Sequence, residues 1–392
     1  TNRKGRNPSR GFLGLHAGRR AGKIKLIHNH PSPLTSNSSL YIHVPFCEKK
    51  CGYCSFYSLA GQDNNKIDSW LKNLELEAKI YYREPKIKIK TLYIGGGTPT
   101  VLKIFQWLEL MKILNENFDL ENLIEATTEA NPNSLTPEHI KFFLENKFTR
   151  VSLGVQSLND DELKILGRLH DSKKALEAMK LVKDSGLILS CDLIFAIPGQ
   201  TLRTWAESLK TVIKFSDHVS TYQLTLEPET PLGKKYDNKK LNEAGYKFYR
   251  YAQYYLPRKN FLQYEISNFA PEGNECKHNL AYWTQSNVIA LGPSAVSYID
   301  GIRYKNPESI SKYFSKNLIE YEKLSPHELE IEKIILALRT KFGIEKSKIF
   351  PEAKKILDSM PEDLFIKSPE RIALSPRGMR LGNSIWCELI DL

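Results

Sequence analysis

The chain has 392 residues, is 41% hydrophobic and 26% charged, and carries a formal net charge of +11. That balance excludes a mostly disordered chain, and a length of this order gives a prior of two to three domains. No stretch approaches about 18 uninterrupted apolar residues, which speaks against a membrane-spanning helix.

Arg3, Lys4, Arg6, Arg10, Arg19, Arg20, Lys23 and Lys25 supply eight positive charges within residues 1–40, where no acid occurs. Residues 41–392 therefore carry only +3, too little to argue for a nucleic-acid partner. Residues 1–38 are rich in Arg, Gly, Ser, Asn and Pro without an apolar period, and are expected to be a disordered basic extension. An acid-free, Arg-rich start also resembles an organelle transit peptide; the blander reading, for a chain opening at Thr1, is an over-extended start. The tail lacks the apolar centre of a secretory signal. A cytoplasmic location is expected, with organelle targeting by this tail left open.

From Leu40 onward, short apolar runs alternate with helical patterns. The spacing predicts strands at Leu40–Val44, Thr91–Ile94, Glu125–Glu129, Arg150–Gly154, Ser190–Ala196 and Ser220–Leu226. Between them it predicts helices at Ile67–Tyr82, Val101–Asn117, Pro137–Asn146, Asp161–Lys183 (broken) and Leu202–Phe215. Such alternation implies right-handed crossovers and a parallel sheet, either open or curled into a partial barrel. In both, chemistry collects at the carboxyl ends of the strands. A further helix is expected at Leu241–Tyr255, closing a first domain over residues 39–255. Residues 256–320, aromatic and poor in helix signals, read as a connecting region. Residues 321–392 read as a small α+β domain of winged-helix type. Its helix Glu328–Lys341 leads to Lys354–Ser359, then to a hairpin formed by Ile372–Ser375 and Ile385–Leu389.

Three of the six cysteines, Cys47, Cys51 and Cys54, fall within eight residues just after the first strand; Cys191, Cys276 and Cys387 are scattered. This is a metal-site pattern of a reducing compartment rather than a disulfide framework. Three thiolates on a short loop can hold three corners of an iron–sulfur cubane, leaving one iron open for a chelating ligand. Lys49, Lys50 and Gly52 sit close enough to favour the thiolate form. The bland alternative is structural zinc with His43 as fourth ligand, although C-x3-C-x2-C matches no usual zinc spacing. Gly95-Gly96-Gly97-Thr98-Pro99 follows the second strand and would let backbone amides approach a polar ligand. It is neither a phosphate loop nor a dinucleotide fingerprint. Glu129, Gln156, Arg168 and Asp192 lie at or just after strand ends, and Asp192 sits in a buried-looking strand where a carboxylate needs a partner.

The cysteine spacing, with Tyr53 before the third Cys, resembles the radical S-adenosylmethionine (SAM) superfamily. That resemblance implies a partial (β/α)6 barrel, a [4Fe–4S] cluster on Cys47, Cys51 and Cys54, and SAM on the open iron. It implies a SAM pocket of Tyr41, Tyr53, Gly96, Gly97, Thr98, Glu129, Gln156, Arg168 and Asp192. Within the superfamily, His-Val-Pro-Phe-Cys47, Gly95-Gly-Gly-Thr-Pro-Thr100, Gly154-Val-Gln-Ser157 and the run from Asp192 to Thr201 resemble the group of oxygen-independent coproporphyrinogen III oxidases and HemW-type haem chaperones. The oxidases carry a further Cys where this chain has Phe56; the chaperones carry His-Asn-x-x-Tyr-Trp, present here at His278 to Trp283.

The resemblance thus implies a haem chaperone that passes haem to respiratory-chain proteins, with His278, Tyr282 and Trp283 at the haem. Neutral imidazole is a common haem ligand, and flat rings suit a porphyrin face. A haem donor such as bacterioferritin and a peripheral membrane contact would be consistent partners. Relatives often read Gly-Pro-Ser-Ala-His where this chain has Val296, which would weaken or re-ligate haem here; Cys276 is an alternative ligand. The competing expectations are coproporphyrinogen oxidation by a deoxyadenosyl radical and, on the basic tail alone, radical chemistry on RNA.

Overall fold

A computed structural model describes residues 21–24, 38–61, 63–315 and 319–392. Six parallel strands form the centre: β1 (Ser38–Val44), β2 (Ile87–Gly96), β3 (Glu125–Ala130), β4 (Arg150–Gln156), β5 (Ile188–Phe195) and β6 (His218–Gln223). They are neighbours in that order, so each crossover advances by one strand, as in a barrel. The intervening helices are α1 (Asn64–Tyr81), α2 (Ile104–Asn117), α3 (Pro137–Glu145), α4 (Asp160–Leu166), α5 (Ser172–Ser185) and α6 (Leu202–Val212). The expected break between α4 and α5 falls at Gly167, whose left-handed φ of 74° ends α4 in the conformation glycine adopts most readily.

Side chains alternate across each strand with period two. Leu40, Ile42 and Val44, then Val151, Leu153 and Val155, then Leu189, Cys191 and Leu193 belong to the main apolar core. Cys191 is therefore a small buried hydrophobe. The opposite positions, including Glu129, Ser152, Gln156, Ser190, Asp192, His218 and Ser220, line a cavity on the other face.

The 256–320 region is not merely a connection. At one end of the sheet, Asn268–Ala270 pairs antiparallel with β6, and Leu262–Gln263 pairs with it in turn. At the other end, β7 (Val288–Leu291) adds a seventh parallel strand beside β1. Three antiparallel strands follow: β8 (Val296–Ile299), β9 (Ile302–Lys305) and β10 (Ile319–Lys323). Short strands separated by turns carry little helix signal, which is why the sequence shows only aromatic character here.

Most of the disorder expected over residues 1–38 lies outside the described residues. Within that span, Ala21–Ile24 pairs antiparallel with β10, and Ser38 already belongs to β1.

The carboxyl-terminal unit has its own core and a three-stranded antiparallel sheet. Helix Pro326–Leu338 is capped by Ser325 with Glu328 in a reciprocal capping box. The hairpin is Phe365–Lys367 with Arg371–Leu374, not with Ile385–Leu389 as expected. The latter lies in helix Gly382–Ile390, since Ile385, Trp386 and Leu389 are spaced for one helical face and all are buried.

Candidate functional site

The cysteine loop leaves β1 and is closed at its base by pairing of Phe46–Cys47 with Leu59–Ala60. The Gly52 amide donates to the Leu166 carbonyl, and the Leu232 amide donates to the Gly52 carbonyl. A Cβ at Gly52 would strike the Leu232 side chain, so glycine is a packing requirement there. Cys47, Cys51 and Cys54 are free thiols, partly exposed, on one wall of a cavity of about 590 Å³. The Thr98 hydroxyl donates to Cys47 Sγ at 3.5 Å and Arg168 Nη1 donates to Cys51 Sγ at 3.3 Å. Burial pushes the Cys54 thiol up, outweighing Lys50. The lysines therefore do not make a thiolate of Cys54 on their own, as the sequence suggests they would.

These thiols suit a cubane better than zinc. Zinc–sulfur bonds of about 2.3 Å in a tetrahedron hold sulfurs roughly 3.8 Å apart, whereas a cubane spreads its thiolates wider. Among the described residues no three His, Cys, Asp or Glu side chains converge as on a single ion. His43 has no nitrogen to spare. Its Nε2 donates to the Tyr57 carbonyl at 2.9 Å, and its Nδ1 then accepts from the Tyr41 hydroxyl at 3.1 Å. The alternative of zinc with His43 is thereby removed.

Eight of the nine residues expected around SAM share this cavity: Tyr53, Gly96, Gly97, Thr98, Glu129, Gln156, Arg168 and Asp192. Tyr41 does not line it; its ring stacks on Tyr93 inside the barrel. The Gly-Gly-Gly turn works differently from expectation. The amides of Gly96, Gly97 and Thr98 are spent on Glu129 Oε2 (3.0 Å), the Val44 carbonyl (2.7 Å) and the Phe46 carbonyl (2.7 Å). A Cβ on Gly97 would collide with the Phe46 carbonyl oxygen. The glycines thus bring the cysteine loop against β2 rather than free three amides for a ligand.

Glu129 also accepts from the Tyr93 hydroxyl at 2.9 Å, yet burial and the nearby Asp192 push its carboxyl up to about 7. Asp192 accepts from the Ser152 hydroxyl at 3.1 Å, and burial raises it to about 6. Two carboxyls held near neutrality in one polar cavity are poised to accept hydrogen bonds from ribose or amine groups. Arg168 also donates to the Gly154 carbonyl at 2.8 Å, and its Nε is buried without a partner. Gln156 sits at a register shift with φ 66°, a conformation non-glycine residues rarely adopt. Sequence reasoning missed Ser152, Ser190, His218, Ser220 and Tyr222, which also line the cavity. Their signal was available: each stands two or four residues from another inward position on its own strand.

The helix α7 (Lys277–Trp283) plugs the barrel near the strand starts. Glu125 accepts from the amides of Lys277 (2.9 Å) and His278 (3.0 Å) and from Cys276 Sγ (3.3 Å), and it pairs with Arg150 at 3.7 Å. Burial pushes the Cys276 thiol up, so it is neutral and is not the thiolate ligand considered from sequence. His278 is 1% exposed. Its Nδ1 lies 2.9 Å from Thr91 Oγ1, its ring stacks on Tyr93, and burial lowers it to about 3. Its Nε2 has no partner, but the ring is enclosed by Tyr41, Tyr93 and Tyr282. The expected haem trio is therefore split. Tyr282 and Trp283 line a second, larger cavity of about 1140 Å³, and His278 does not.

Fold and site together define a radical SAM protein: a curled parallel sheet with three loop thiols and a polar pocket at the strand ends. The family model of the Radical SAM superfamily matches residues 41–212. The coproporphyrinogen III oxidase of Escherichia coli, described as a radical SAM enzyme, shares the fold with a TM-score of 0.79 over 90% of each chain, at 22% identity. Two chains named heme chaperone HemW are closer in sequence. That of Lactococcus lactis is 32% identical over 90% of this chain and 97% of its own length, and that of Bacillus subtilis 33% over 89% and 98%. The chain belongs to the HemW family of radical SAM proteins, a membership that implies a [4Fe–4S] cluster and SAM.

Proposed function

We propose that the protein is a haem chaperone that holds a [4Fe–4S] cluster on Cys47, Cys51 and Cys54 and SAM in the smaller cavity, and that it delivers haem to respiratory-chain proteins. The observation that carries the reading is the placement of Phe56. It projects 69% exposed into the larger cavity, on the same loop as the three thiols. The oxidases that the chain resembles have a further cysteine at this position, and Phe56 cannot ligate metal. When bound on Cys47, Cys51 and Cys54, the cluster would supply one-electron reducing chemistry next to SAM. The chain's own residues do the rest. Thr98 and Arg168 donate to two of the sulfurs, which stabilises them as thiolates. Glu129 and Asp192 accept from the bound nucleoside, and the apolar layer outside the strands keeps water from the barrel wall.

Among the described residues no helix is long and apolar enough to cross a membrane. A cytoplasmic location, a donor such as bacterioferritin and peripheral membrane contact belong to the proposal, with no nucleic-acid partner. The division at residues 39–255, 256–320 and 321–392 belongs to the proposal too, with strands from 256–320 continuing the barrel sheet.

The test is anaerobic reconstitution with iron and sulfide, followed by haem titration and transfer to an apo-acceptor. We expect about four irons per chain, saturable haem binding and haem transfer, all without conversion of coproporphyrinogen. Replacing Cys47, Cys51 and Cys54 with Ala should abolish iron loading while leaving the fold. Robust protoporphyrinogen formation with SAM and a reductant would overturn the chaperone reading in favour of the oxidase.

A further inference from the structure

The larger cavity is built from several separate parts of the chain. Phe56 comes from the cysteine loop, Tyr282 and Trp283 from α7, Val296 and Tyr298 from β8, and Leu336 from the carboxyl-terminal unit. Period two on β8 turns Val296 and Tyr298 to the cavity while Ser297 and Ile299 are buried behind. Its 1140 Å³ exceeds the roughly 300–1,000 Å³ of ordinary small-molecule pockets, and its exposed surface is mostly apolar, although more than half of the residues that line it are polar or charged. Such a space fits a large, flat, mostly apolar ligand with a few charged substituents. Lys50, Arg303 and Lys305 lie on its wall, as do Glu227, Glu229 and Glu332. Arg303 pairs with Glu322 and Glu332, and Lys305 pairs with Glu308, so Lys50 is the cation for which no ion pair is formed among the described residues.

Among the described residues the wall contains no histidine and no methionine. His218 lines the smaller cavity, and the His278 ring is sealed behind Tyr282 with Nδ1 against Thr91. Cys51 and Cys54 reach the wall, but they are the thiols assigned to the cluster.

We propose that haem is seated in this larger cavity, gripped by its faces between Phe56, Trp283 and Tyr298, with no imidazole on its iron, and that Val296 occupies the place from which an axial ligand would reach it. The proposal rests on the chaperone reading. Stacking without a strong axial bond makes a cargo easier to give up, since no metal–ligand bond must be broken.

The experiment is haem titration of the cluster-loaded full chain, read by Soret position, electron paramagnetic resonance and affinity. The wild type should bind haem without an imidazole signature. Val296→His should gain that signature, and Val296→Trp, which pushes a bulky ring from the wall into the space beside Tyr298, should weaken binding at least tenfold. Wild-type protein that loads its cluster but takes up no haem would sink the chaperone reading itself. Wild-type binding with both Val296 variants unchanged in affinity and spectrum would overturn the cavity assignment alone. An imidazole signature in the wild type that disappears in folded His278→Gln would overturn the claim of unligated seating. Iron content and circular dichroism of each variant separate these outcomes from misfolding.

Discussion

Replacing Glu125 with Ala should unseat the helix that plugs the barrel. Glu125 and Arg150 are an ion pair with side chains 5% and 2% exposed, and Arg150 Nε and Nη1 have no hydrogen-bond partner. Removing one member of such a pair costs about 3–5 kcal/mol, because the other charge stays buried. The amides of Lys277 and His278 lose their acceptor too, at roughly 1–3 kcal/mol each if they stay buried. These losses overlap, since an unseated helix readmits water. We therefore expect a total of about 4–6 kcal/mol, a large share of the 5–15 kcal/mol typical of a folded domain. Glu125→Gln keeps an acceptor for one amide and should fall between. Urea unfolding followed by circular dichroism measures the loss, and tryptophan fluorescence reports on Trp283 beside the larger cavity. A Glu125→Ala protein within 1 kcal/mol of wild type would refute the account of how the plug is held.

The cavity carboxyls make stability fall as pH rises. Asp192 is raised by burial to about 6 and Glu129 to about 7, so between pH 4 and 7 the folded chain holds more protons than the unfolded one. Both carboxyls destabilise the ligand-free fold above that window, and Asp192→Asn should gain up to roughly 3 kcal/mol at pH 8, by about 1.4 kcal/mol per pKa unit, while weakening SAM binding. Denaturant titrations at pH 5 and 8 test this, and a variant with unaltered pH dependence would contradict it. Gly97→Ala should force the cysteine loop away from β2 at a cost of about 1–3 kcal/mol. Iron content after reconstitution should drop with it; full loading at wild-type stability would show that the turn has room.

The six central strands and the helices between them are legible because the chain alternates apolar runs of strand length with amphipathic stretches. The cavity thiols are legible because their ligand chemistry depends on local spacing. What was hidden is long-range. Nothing near His278 reveals that Thr91, 187 residues away, would take its Nδ1, or that Tyr93 would cover its ring. The glycine turn is visible in the sequence but its role is not, because its amides are satisfied by Val44 and Phe46 on a neighbouring strand and loop. Helix Gly382–Ile390 reads as a strand from sequence, since an apolar run of five residues suits either period until its packing partners are known.

Cys51, Cys54, Ser55 and Phe56 border both chambers, so one short stretch of backbone is a party wall. An occupant that moves this wall on one side alters the room on the other. Thermodynamic reciprocity then requires that each guest change the other's hold by the same factor. A nucleoside-sized tenant can thereby govern the residence of a much bulkier neighbour without ever touching it.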